Sequence, residues 1–220
     1  YLTKVNLNYL YQCNFLYSQA TVGHGIIYLS STNVILNMKS TFLNNKAEQL
    51  GGALYIISSR NITISNCIFI QNSALSGGAI FSKFFNIFQS SLCRFDNNWA
   101  RKEGAVLGLH DGHIFVNRKS KHSCNLAGSS GGSIFSSGIH TSRMIRNIFT
   151  SNEANEKGGS VFVSMSKLMV IECHVVGSTA TVSGGFLYIE KPSSLCFVSN
   201  SSLLRNKAKL GGSIAAETIN

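Results

Sequence analysis

Acid is scarce in this chain. Only 9 of its 220 residues are Asp or Glu, and the two aspartates, Asp96 and Asp111, stand apart. Glycoside hydrolysis rests on paired carboxylates, and calcium-assisted lysis needs an acidic oxygen cluster, so both chemistries are poorly served. No stretch approaches the eighteen or so unbroken apolar residues of a membrane-spanning helix. None of the six cysteines is spaced C-x-x-C, which removes the usual zinc signature. Charged residues make up 13% against 44% hydrophobic, with a single proline, the reverse of a disordered composition. Catalytic, cofactor and metal residues are therefore not assigned.

What the chain has instead is glycine in doublets. The second member of each falls at Gly25, Gly52, Gly78, Gly104, Gly132, Gly159, Gly185 and Gly212, in steps of 26 to 28 residues. (The first and fourth copies read His-Gly and Glu-Gly.) Self-similarity at such a period marks a stacked-repeat architecture. Around each doublet the sequence reads approximately C-x-F-x-x-N-x-A-x(3,4)-G-G-[AS]-[ILV]-[FY]. The first apolar column is Phe15, Phe42, Phe69, Phe95, Leu126, Phe149, Val175 and Leu203. Asn45, Asn72, Asn98, Asn152 and Asn206 follow three residues later, and the fifth copy breaks the pattern.

Each unit holds three short apolar runs, such as Leu54–Ile57, Ile62–Ser65 and Cys67–Ile70, parted by turn formers. No unit carries a helical stripe. Three strands and three turns in about 27 residues describe one coil of a parallel β-helix. The expectation is an all-β, right-handed solenoid of about eight coils, one domain over residues 1–220. The chain reads as an excerpt of a longer repeat protein. Asparagines stacked in register should bond amide to amide at a tight turn, and glycines should form the corners where a Cβ would clash.

Phe42–Asn45, Phe69–Asn72, Phe95–Asn98 and Phe149–Asn152, with Gly51–Leu54 and Gly77–Ile80, match F-x-x-N and G-G-A-[IL] tetrapeptides. In these the chain resembles the polymorphic outer-membrane protein repeats, and similar repeats in large protist surface proteins. The resemblance implies a pectin-lyase-like β-helix in an extracellular or cell-surface protein.

Several features invite a functional reading. Gly23-His24-Gly25 looks like the signature of polygalacturonases, yet it occupies an ordinary glycine corner. Cys13, Cys67, Cys93, Cys124 and Cys173 precede the apolar column by two and read as an inward thiol ladder. From Gly104 to Cys124 is 20 residues, against 14 to 16 elsewhere, which predicts an outward loop carrying Arg118, Lys119, Lys121 and His122. His110-Asp111-Gly112-His113 is too small a set for a metal site. Asn61 and Asn200 open N-glycosylation sequons.

After each doublet runs an aliphatic column, Ile27, Leu54, Ile80, Val106, Ile134, Val161, Leu187 and Ile214. Beside it runs a mostly aromatic one, Tyr28, Tyr55, Phe81, Leu107, Phe135, Phe162, Tyr188 and Ala215. Adjacent strand residues face opposite sides, so one column should point outward as an interaction face unless the strand kinks. The formal charge of +10 suits acidic polysaccharide, nucleic acid or an anionic surface; a merely solvated surface is the plainer reading, and no nucleic acid partner is expected. Taken together, the residues favour a non-catalytic structural or adhesive segment of a surface protein. Its expected partners are the rest of the parent, copies of itself in a fibre, or glycans. The rival reading is a carbohydrate-binding or carbohydrate-active β-helix.

Overall fold

A left-handed backbone residue recurs four times in almost every winding of the chain and sets its shape, one of the four being the glycine corner at Gly51, Gly77, Gly104, Gly131, Gly158 and Gly184. One column of such turns is Tyr17, Asn44, Gln71, Asn97, Cys124, Ser151, Gly177 and Arg205; another is Lys39, Asn66, Leu92, Lys119, Arg146, Glu172 and Asn200. A third is Ser31, Ser58, Phe84, Asp111, Gly138, Met165 and Lys191. Asn and Asp adopt this conformation at little cost, whereas Leu92 and Phe84 are held there by the stack around them. Between turns the strands are short. Phe69 lies in Ile68–Ile70 and Ala74 in Ser73–Ala74.

The structure is a computed structural model describing residues 2–3, 7–21, 23–31, 34–37, 39–191 and 195–217. Among these, every strand pair is parallel, and three sheets run the length of the stack, of 14, 8 and 7 strands. The 14-stranded sheet holds two runs per coil. These fuse into single bent strands at Ile80–Ser91, Leu107–Arg118 and Ile134–Ile145. Phe69 pairs with Phe42 on one side and Phe95 on the other, so identical positions lie one coil apart. The expected parallel β-helix is present, with three sheets per coil and between seven and eight windings. At about 4.8 Å per coil it is a rod some 35 Å long.

The core follows from that register. Rings stack from Phe15 through Phe42, Phe69 and Phe95, with centroids 4.9, 4.6 and 5.3 Å apart. Four of the column's phenylalanines, Phe42, Phe69, Phe95 and Phe149, are fully buried, each contributing about 2–3 kcal/mol of apolar transfer. Beside the rings runs an amide ladder. Asn45 Nδ2 donates to Asn72 Oδ1 at 3.0 Å, Asn72 to Asn98 at 3.1 Å, Asn98 to Asn125 at 3.1 Å and Asn125 to Asn152 at 2.9 Å. Each also caps a ring residue's carbonyl in the preceding coil, as Asn98 does for Phe69 at 3.0 Å. The laddered asparagine is thus not the left-handed turn residue; its neighbour Asn44 or Asn97 takes that conformation.

The glycine doublet has two separate causes. Gly51 sits at φ +65°, where a Cβ is strained. Gly52 has ordinary angles, but a Cβ there would collide with the carbonyl oxygen of Gly78 in the next coil. Coils approach too closely at that corner for any side chain.

The fifth coil corrects the alignment. Phe95 pairs with His122, not Leu126, and His122 with Phe149. Asn125 then falls on the amide ladder, so the ladder is unbroken through this coil. No outward loop is inserted, because Leu107–Arg118 pairs with both neighbouring strands along its length. Cys124 is exposed on a turn, and Ser120 takes the inward position two before the ring column. Cys124-x-Leu126 resembles the ring motif in sequence, but the imidazole of His122 fills the ring position.

Candidate functional site

The aromatic column does lie on the outer side of its sheet, apart from the main core, yet little of it meets solvent. Tyr55, Phe81, Phe135, Phe162 and Tyr188 are 2–8% exposed, and Tyr28 is half-buried. The open apolar face expected from strand alternation is therefore absent, and the reason is local. Residues at the glycine corners lie against the rings, as His24 does on Tyr55 and Lys157 on Tyr188. A Cβ on Gly77 would press on the Cβ of Phe81, and one on Gly25 on that of Tyr55. Lys157 Nζ lies 4.4 Å from the Tyr188 ring centroid and 2.9 Å from its hydroxyl. That contact holds the Lys157 ammonium above its ordinary range.

One member of the column is not where alternation put it. Leu107 pairs with Ile80 and Ile134, so it belongs to the inner aliphatic column, and Gly108 faces Phe81 and Phe135. The missing ring is supplied by His110, two residues on along the same face. Its imidazole stacks 5.1 Å from Phe81 and 5.3 Å from Phe135. Burial there lowers the His110 pKa and raises that of Glu103, whose carboxylate is 4.0 Å away. His24 does similar work, stacking 4.4 Å from Tyr55. Its glycine-flanked triplet is a packing element.

His122 replaces a phenylalanine in the core, its ring 4.8 Å from both Phe95 and Phe149. Nδ1 is 2.7 Å from Ser133 Oγ, and Nε2 is 3.3 Å from Asn117 Nδ2. The Asn117 amide donates, so Nε2 accepts and Nδ1 carries the proton. Complete burial pushes its pKa down to about 3.

The thiols divide. Cys67 and Cys93 are buried free thiols whose pKa values burial pushes up to about 11 and about 12. Cys173 is buried, Cys13 half-buried, and Cys124 and Cys196 are exposed. His113 and His140 stack on the surface at 5.1 Å, and among the described residues no group of three or more His, Cys, Asp or Glu gathers as metal ligands do. Asn61 and Asn200 are exposed.

The basic residues lie on the ridge of left-handed turns rather than on a loop. Arg118, Lys119 and Lys121 are exposed there, and a groove of about 410 Å³ is lined by Arg118, Lys119, Ile145 and Arg146. Arg146 Nε reaches Glu172 Oε2 at 2.7 Å, and Arg94 pairs with Asp96. Among the described residues no carboxylate pairs with Arg118, Lys119 or Lys121.

Residues 39–57 and 66–83 match the model of the Chlamydia polymorphic membrane protein repeat. Those segments hold the F-x-x-N and G-G-A-[IL] tetrapeptides of two successive coils, stacked in register. In these two coils the chain is similar to polymorphic membrane protein repeats. No curated protein and no solved structure matches it. That similarity implies a segment of an outer-membrane or surface protein, and the two matched segments form adjacent coils of the β-solenoid. No helix among the described residues is long and apolar enough to cross a membrane.

Proposed function

We propose that this repeat segment is a non-catalytic, stiff structural or adhesive rod, part of a larger surface protein. The observation that carries this reading is the continuous in-register stack. Its inner polar groups are largely consumed by neighbours in adjacent coils, as Asn72 is by Asn45, Phe42 and Asn98. A ladder of that kind transmits load along the axis and leaves the outer turns free to vary. Three of the nine carboxylates support the same reading. Asp96 is tied to Arg94, Glu172 to Arg146 and Glu217 to Lys157, so none forms the acid–base couple that sugar hydrolysis requires.

Display of the segment on a heterologous bacterial surface tests it. The rod reading expects increased attachment to cells or matrix, or projection of a fused tag beyond the surface layer, with no release of reducing ends from polysaccharides. Steady release of reducing ends by the purified chain would overturn it in favour of a carbohydrate-active solenoid.

A further inference from the structure

The ridge around Lys119 differs from the rest of the surface in charge and in shape. Leu107–Arg118 and Ile134–Ile145 run side by side, with Arg118 opposite Ile145 and Val116 opposite Arg143. Strand alternation therefore places Arg118 and Arg143 on one outer face, on adjacent strands and two positions apart. Lys167, opposite Thr141, continues that face on the next coil. At the strand ends the chain turns at Lys119 and Arg146, one coil apart, and resumes with Lys121 beside Arg94. Arg118, Lys119 and Arg146 thus line the groove, and strand register places Lys121, Arg143 and Lys167 on the same or adjoining strands, six cations over three coils. Among the described residues, the carboxylate paired with one of these cations is Glu172, on Arg146. The Nε of Arg143 is buried without a hydrogen-bond partner, a donor left unsatisfied beside the groove.

Like charges placed one strand spacing apart repel one another, and nothing in the rod's packing calls for them. An extended polyanion lying along the axis relieves that repulsion. Two arginines suit tetrahedral oxyanions, because the guanidinium fork donates two parallel hydrogen bonds to one group. The apolar surface at the groove is aliphatic: Ile145 lines it and Leu92 is exposed on the same turn column. Single-stranded nucleic acid is held by aromatic platforms for its bases, and the exposed Trp99 belongs to a different sheet, paired with Ser73 and Leu126.

We propose that this ridge is a binding site for sulfated polysaccharide, with Arg118, Lys119 and Lys121 as its principal sulfate contacts. The proposal concerns one face of the rod and stands apart from the rod's structural role. Its test is affinity of the purified chain for immobilised heparin as probe, beside chemically desulfated heparin and single-stranded DNA. A triple Arg118→Ala, Lys119→Ala, Lys121→Ala variant is compared with Lys46→Ala, Lys102→Ala, Lys207→Ala, which removes equal charge elsewhere. The site predicts that only the first triple loses affinity, by about tenfold at moderate salt, and that desulfated heparin binds neither protein. All these side chains are exposed, and both variants are expected to keep the parent's circular dichroism and melting, which are checked before binding is compared. Equal losses for the two triples would reduce the effect to net charge and overturn the proposal. DNA binding as tightly as heparin, with the same dependence on Arg118, would overturn the choice of ligand.

Discussion

The side-chain nitrogen of Asn72 donates to Oδ1 of Asn98 at 3.1 Å, across 26 residues of sequence. The same Oδ1 accepts the backbone N–H of Asn72 at 3.0 Å, and Asn98 Nδ2 donates to both Phe69 O and Asn125 Oδ1. Truncating Asn98 therefore strands several fully buried polar groups at once. Asn98→Ala is expected to destabilise by about 3–4 kcal/mol, read as a fall in the urea midpoint. Asn206, half-buried near the last described coil, should cost less than half as much on the same scale.

The two kinds of glycine should respond differently to substitution. Gly52→Ala drives a methyl into the Gly78 carbonyl and should cost more than about 3 kcal/mol or prevent folding. Gly177 also has a positive φ, +68°, but a Cβ there would meet only Ser151 Oγ, in ordinary contact at 3.7 Å, and Asn44 and Asn97 occupy the same turn column. Gly177→Asn is expected to fold with a loss of about 1 kcal/mol or less. Thermal melting of the two variants separates the causes.

His122 makes the rod acid-sensitive. Its folded pKa is depressed to about 3 from the ordinary 6.5, so the unfolded chain binds a proton that the native core refuses. Its penalty is absent above pH 6.5 and grows as pH falls through that value, by about 1.4 kcal/mol per unit, levelling near pH 3. His122→Phe, which continues the ring column, should remove this component of the slope between pH 6 and 4. Urea denaturation at stepped pH checks it; an unchanged slope would show that the imidazole is hydrated.

The outer aromatic column should be a folding element. Phe162 is 6% exposed and stacks 4.7 Å from Phe135 and 5.5 Å from Tyr188. Phe162→Ala should cost about 3 kcal/mol, in the manner of a core residue. A loss of partner binding without loss of stability would instead restore the column as an interface.

Much of the architecture was legible from one-dimensional spacing, because a stacked fold repeats its physics at each coil. The glycine period, the Phe69 column and the Asn72 ladder all follow from that. What failed did so where one residue type stood in for another. An imidazole in a phenylalanine position hid the fifth coil's register, which displaced Cys124 and created an insertion that does not exist. Gly108, with His110 reaching into the vacancy, hid the fourth. The covering of Tyr55 and Phe81 was not legible at all. Alternation tells which side a ring takes, but not that residues of a preceding glycine corner, such as His24 on Tyr55 or Lys157 on Tyr188, lie against it.

The most direct test of the stacked register is a set of spin-label distances along one turn column, with the native cysteines replaced by serine. Labels at positions 44 and 151 lie four coils apart, and at 17 and 205 seven coils apart. The stack predicts separations of about 19 and 34 Å, linear in coil number at about 4.8 Å per coil. Distances that do not grow in proportion to coil number would contradict it.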